Sequence, residues 1–127
     1  MSLIEPTLSY KITGLCFKVH NRLGRFASER QYCDELEKLL IENGIGYKRE
    51  LEIFTFQPDA PKGNKVDFFI EQRIMFDAKA KKFITKVDYD QMIRYLYASK
   101  CKLGLIVNFR MTYLKPKRVV NNQVENS

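Results

Sequence analysis

From Leu8 to Leu23 the apolar residues Leu8, Ile12, Leu15, Cys16, Val19 and Leu23 recur every three or four positions, which predicts a helix with one buried face. The Glu5-Pro6-Thr7 entry starts it and Gly24 ends it. Ser28 opens a second helix with Tyr32, Leu36, Leu39 and Leu40 as its buried stripe and Asn43-Gly44 as its stop. After Gly46 the period changes. In YKRELEIFTF, Leu51, Ile53 and Thr55 alternate with Glu50, Glu52 and Phe54, which predicts a strand about ten residues long. QPDAPKGNK is built of turn formers and reads as a loop with a basic flank. Two short strands follow, Lys65 to Ile70 and Ile74 to Ala80, then a basic bend from Lys81 to Lys86. Val87 to Lys100 reads as a helix with Val87, Met92, Ile93, Leu96 and Tyr97 available for its apolar face, and KLGLIVNF as a buried strand. Lys115 to Arg118 is a basic segment that can extend a sheet edge. The expected class is α/β in the order ααβββαβ, one domain over residues 1–120, with NNQVENS (121–127) as a flexible polar tail.

One stretch of this pattern is out of character. VDFFIEQRIMFDAKAKKF places Asp67 and Asp77 inside two apolar strands, although Asp is depleted from strands and charges are rarely buried unpaired. With Glu71-Gln72-Arg73 as the turn, the hairpin is symmetric about Gln72, so Ile70 faces Ile74, Phe68 faces Phe76 and Asp67 faces Asp77. Directly opposed like charges repel. Lys79 lies two residues past Asp77, on the same strand face, so two carboxylates and an ammonium come together. A hard cation such as Mg²⁺ prefers oxygen ligands and would turn the repulsion into coordination, with the backbone carbonyl of Ala78 as a further ligand. The competing reading is that both aspartates are solvated strand ends paired with Lys79 and Lys81.

Composition narrows the setting. The 127 residues suffice for one self-supporting domain, and 45% hydrophobic residues with nine Phe and seven Tyr argue against disorder. No apolar run has the length of a membrane span, and the opening MSLIEPTLSYK lacks the layout of a secretory signal, so a cytoplasmic location is expected. Cys16, Cys33 and Cys101 are an odd number without CxxC spacing, each in an apolar segment, and read as buried thiols. Twenty-two Lys and Arg against fifteen Asp and Glu leave +7, which favours an anionic partner such as nucleic acid.

The run Asp67, nine residues, Asp77-Ala78-Lys79 resembles the signature of the PD-(D/E)XK nuclease superfamily, with Val66-Asp67 in place of Pro-Asp. Upstream, VHNRLGRFASERQY resembles the helix-loop-helix entry of the small GxxExxY proteins assigned to that superfamily, matching at His20, Asn21, Leu23, Gly24, Glu29 and Tyr32. Downstream, Gln91-Met92-Ile93-Arg94-Tyr95 resembles the QxxxY element of RecB-like members, and the LGLIVNF strand follows it. Phe26 stands where the GxxExxY motif begins with glycine, and Asp77 where the small family usually has Glu.

The resemblance implies a restriction-endonuclease-like core, a mixed central sheet flanked by helices. It implies Glu29 as a metal ligand from an early helix, Asp67 and Asp77 as strand ligands, Lys79 as the catalytic lysine, and Gln91 and Tyr95 one helical turn apart facing the site. Gln91 would orient a phosphate or water and Tyr95 would support it against the nucleic acid. The implied activity is Mg²⁺- or Mn²⁺-dependent phosphodiester hydrolysis, with DNA the expected nucleic acid and the oligomeric state open, a homodimer included. Lys81, Lys82 and Lys86, with Lys100, Lys102 and the Lys115 to Arg118 segment, would hold phosphates. His20, near the end of the first helix, is expected to pin the adjacent loop, and Tyr32 to pack or to fix Glu29 by a hydrogen bond. The alternative is a catalytically silent nucleic-acid-binding or protein-interaction module on the same fold.

Overall fold

The computed structural model describes residues 6–59 and 63–124. Met1 to Glu5, Ala60 to Lys62 in the predicted loop, and Glu125 to Ser127 in the predicted tail lie outside the described residues. The elements are α1 (Pro6–Leu23), α2 (Glu29–Glu42), β1 (Tyr47–Glu52), a short 3₁₀ turn (Ile53–Thr55), β2 (Lys65–Ile70), β3 (Ile74–Lys79), α3 (Lys86–Ser99), β4 (Leu103–Asn108) and β5 (Lys117–Val120). The order is therefore ααβββαββ. The α/β class is as predicted, and the basic segment near Lys115 becomes a short antiparallel edge strand.

The five strands lie in the order β1-β2-β3-β4-β5. β1, β2 and β3 form an antiparallel meander, β3 and β4 run parallel, and β5 returns antiparallel to β4. The β3–β4 crossover is α3. Every residue of β4 is buried, as a parallel strand covered on both faces requires. On one face, Ile12, Leu15, Cys16 and Val19 of α1 and Tyr32, Leu36 and Leu40 of α2 meet Phe68, Ile70, Ile74 and Phe76. On the other, Met92, Tyr95 and Leu96 of α3 meet Val66, Phe69, Met75 and Ile106. Gly104 lets α3 sit close to the sheet, because a Cβ there would fall 2.5 Å from Met92 Sδ.

Three local expectations are corrected. The first strand ends at Glu52 rather than Phe56. Glu50 adopts φ of +52°, which breaks the alternation: Tyr47 packs toward α1 and α2, Leu51 toward α3, and the chain then turns so that Phe56 meets Phe69 edge-on at 5.7 Å. In α3, Val87 and Tyr97 are exposed, and the buried stripe is Asp88, Met92, Tyr95 and Leu96. Asp88 occupies a core position because two lysines neutralise it. The tail does not fray from its first residue, for Asn121 is buried, donates its amide N–H to Lys102 O at 2.8 Å and caps Leu96 O and Cys101 O with its side chain. All three cysteines are buried, and the Cys101 thiol donates to Arg73 O at 2.8 Å.

Candidate functional site

The predicted hairpin register is present. Phe68 pairs with Phe76, Phe69 with Met75 and Ile70 with Ile74, around a turn in which Glu71 and Gln72 both take positive φ. Beyond Phe68 and Phe76 the backbone pairing gives way to carboxylates. Asp67 N donates to Asp77 Oδ1 at 3.0 Å, and Ala78 N donates to Asp67 Oδ2 at 2.8 Å. The two side chains thus take over the acceptor role that strand carbonyls play in a regular ladder. This answers part of the charge problem, since each carboxylate gains a backbone donor. The Ala78 N–H points toward β2, and in an extended strand the carbonyl of the same residue points to the same side, into the same gap. Lys79 O points the other way, accepting from Phe109 N at 2.8 Å.

The pair remains electrostatically loaded. Asp77 is only 3% exposed, and burial together with the charge of Asp67 pushes its carboxyl up to about 7. Asp67 is also raised, by burial first and by Glu29 in part, against the opposing pull of the Ala78 amide and the Lys79 charge. Glu29 is near enough to raise both aspartates, yet it is exposed at the first turn of α2, and among the described residues no three His, Cys, Asp or Glu side chains stand close enough together to hold a metal ion. The structure brings Asp67, Asp77 and Ala78 together and leaves Glu29 at the margin.

Lys79 projects from the same strand face as Asp77 toward α3, where its Nζ lies 3.9 Å from Asp88 Oδ1. Asp88 was not singled out from sequence. Its second oxygen takes Lys81 Nζ at 2.5 Å and the Thr85 amide at 2.8 Å, closing a capping box at the start of α3. Burial would raise its pKa, but the hydrogen bonds from Lys81 and Thr85 and the charges of Lys81 and Lys79 outweigh it and hold the carboxyl below the usual range. The Thr85-x-x-Asp88 spacing was the available signal. Asn108, opposite Lys79 in the β3–β4 register, accepts the Lys81 amide and donates to Lys81 O at 2.7 Å, fixing the chain just past Lys79.

Gln91 is half-buried on α3 between Asp88 and Tyr95, the two residues that tie this stripe to the site. Tyr95 is buried, and its hydroxyl donates to Lys65 O at 3.0 Å, so it braces the start of β2; the expected nucleic-acid contact does not agree with that burial. Burial, and then the charges of Asp77 and Asp67, push its pKa upward. Of the predicted phosphate contacts, Lys81 is held by Asp88 and Lys86 pairs with Asp90 at 3.2 Å, while Lys82 lies exposed beside Phe83. His20 was expected to pin the adjacent α1–α2 loop; its Nε2 instead donates to Met111 O at 2.9 Å, in the distant β4–β5 loop. Tyr32 packs, and its hydroxyl bonds to the α1–α2 turn rather than to Glu29. It stacks on Phe109 at 4.4 Å, donates to Gly24 O and accepts from Ala27 N, which holds the α1–α2 turn and thereby the Ser28 cap that precedes Glu29.

The donor set around the hairpin gap is all oxygen: two carboxylates, each with one oxygen already engaged by an amide, and the Ala78 carbonyl. Such a set suits a hard divalent cation, Mg²⁺ or Mn²⁺, and adjacent like charges, one buried and one half-buried, are the situation a cation relieves. The residues fit the ion. No helix of the described residues is long and apolar enough to cross a membrane. Among family profiles, the one described as the PD-(D/E)XK nuclease superfamily matches residues 6–120. No curated protein and no solved structure matches the chain significantly.

Proposed function

The chain belongs to the PD-(D/E)XK nuclease superfamily, and on that footing we propose that it is a metal-dependent nuclease that hydrolyses phosphodiester bonds of DNA. The observation that carries this reading is the gap at the open end of the β2–β3 hairpin, where Asp67 and Asp77 replace backbone pairing and Lys79 stands on the same strand face as Asp77. Asp67, Asp77 and the Ala78 carbonyl would hold the cation, and Glu29 would complete the set by turning inward from the first turn of α2. When bound, Mg²⁺ or Mn²⁺ would acidify a water and offset charge on the phosphate. Lys79 presents a cation to the negative charge that develops in the transition state, and Asp88 keeps that ammonium tethered. Gln91, on the same stripe of α3, would orient a phosphate or water. The residues 1–120 would act as one nuclease domain. The finer likeness, to the small GxxExxY proteins, is supported by Tyr32 holding the turn at Gly24, which gives that motif tyrosine a structural reason.

A cleavage assay over single- and double-stranded DNA and RNA, with and without Mg²⁺ or Mn²⁺, tests the proposal. The expected result is metal-dependent cutting that Asp77→Asn and Lys79→Ala each reduce by at least about a hundredfold. The alternative, a silent binding module on this fold, has one observation in its favour, the outward position of Glu29. It predicts nucleic-acid affinity that the same substitutions leave intact and no cutting of any substrate.

A further inference from the structure

Beside the hairpin gap lies a second feature. A cleft of about 310 Å³ opens between the β3–α3 loop and the β4–β5 loop. Lys82, Phe83, Tyr89, Met111, Lys115 and Lys117 form its walls, over Ile84 and Asn108. It adjoins the site at two points. Asn108 is the register partner of Lys79, and Tyr89 follows Asp88, the residue that tethers Lys79.

The chemistry of the cleft differs from that of the surrounding surface. Lys81 and Lys86, its neighbours in the chain, are engaged by Asp88 and Asp90. Among the described residues no ion pair engages Lys82, Lys115 or Lys117, so three cations stand among the apolar and aromatic side chains of the cleft. Phe83 is 68% exposed, with Lys82 Nζ 5.6 Å from its ring centroid, and Met111 is 41% exposed on the opposite loop. An exposed aromatic face next to cations outside any ion pair matches a ligand that carries a flat π-face beside a phosphate. A fully paired duplex offers phosphates but keeps its base faces stacked; an unpaired strand offers both.

We propose that this cleft takes unpaired nucleotides, with bases against Phe83 and Tyr89 and phosphates on Lys82, Lys115 and Lys117, so that the protein selects single-stranded nucleic acid or single-stranded ends over continuous duplex. The inference rests on the nuclease reading only for its consequence, delivery of a strand to the neighbouring hairpin gap; the binding itself does not require catalysis. DNA and RNA share the recognised chemistry, and separate arms of the test distinguish them.

The test measures binding of the full chain in EDTA by fluorescence anisotropy, using oligo-dT and oligo-U of about 15 nucleotides and a blunt duplex of the same length. Single strands are expected to bind about tenfold more tightly than duplex. Phe83→Ala, and Lys115→Ala with Lys117→Ala, are each expected to weaken single-strand binding about tenfold with little change for duplex, while Phe83→Trp keeps the wild-type affinity. Preference for oligo-dT or oligo-U then names the sugar the cleft accepts. Single strands binding no better than duplex, or Phe83→Ala binding them as wild type does, overturns the proposal. Tight, Phe83-dependent binding by a protein that cuts nothing would sink the nuclease reading and leave this one standing. Cutting that persists with Phe83 irrelevant would do the reverse.

Discussion

The two ends of the β2–β3 hairpin are built on opposite principles. At the closed end, Phe68–Phe76, Phe69–Met75 and Ile70–Ile74 form a regular antiparallel ladder sealed on both faces by the helices. At the open end the ladder stops, and Asp67 and Asp77 accept the amides that would otherwise lack partners. The closed end is stabilised by apolar burial that no ligand changes. The open end keeps a buried and a half-buried carboxylate side by side, a charge load that protonation or a cation relieves further. The difference shows how a small fold can carry a charged site: one pair of six-residue strands supplies both the rigid base and the strained opening.

Truncation at the closed end should have the largest effect on stability. Phe76→Ala removes a fully buried ring that meets Phe68 edge-on at 6.0 Å and should cost about 3–5 kcal/mol in urea unfolding. A loss under about 1 kcal/mol would mean that the ladder is not the base of the hairpin.

The open end should instead respond to pH. Asp77 has a higher pKa folded than its ordinary value of 3.8, so the stability it contributes is fully present below that value and is lost as pH climbs through about 7. The slope in that window is at most about 1.4 kcal/mol per pH unit. In metal-free buffer, melting temperatures of wild type should fall across the window, and Asp77→Asn should flatten the fall. Parallel curves for the two proteins would show that Asp77 is not the strained group.

A smaller effect is expected from the brace on the same end. Tyr95→Phe deletes the hydroxyl that meets Lys65 O at the start of β2, for a loss of about 1 kcal/mol and a modest drop in metal affinity. Loss of stability with unchanged metal affinity would confine Tyr95 to packing.

The helix periodicities and the hairpin symmetry made the element order and the Asp67–Asp77 juxtaposition legible in the sequence, because Gln72 fixes which residues oppose each other. The buried stripe of α3 was not. Counting apolar residues selected Val87 and Tyr97, whereas the fold buries Asp88 and Tyr95, whose polar atoms are satisfied by partners distant in the chain. Glu50 with positive φ broke the alternation inside β1, a backbone event that the side-chain pattern does not encode. Glu29 was placed on the correct helix turn by motif, but how far its carboxylate stands from the hairpin depends on tertiary packing. The cleft around Phe83 joins two loops more than twenty residues apart, so the sequence marked its basic segments separately but not their meeting.

The most direct test of a cation seat at the open end is Mn²⁺ binding to the purified protein by calorimetry near neutral pH, comparing wild type with Asp67→Asn, Asp77→Asn and Glu29→Gln. Saturable binding in wild type, weakened at least about tenfold by either aspartate substitution and less by Glu29→Gln, is the predicted result. Equal binding in wild type and both aspartate variants, with all proteins folded, would contradict it.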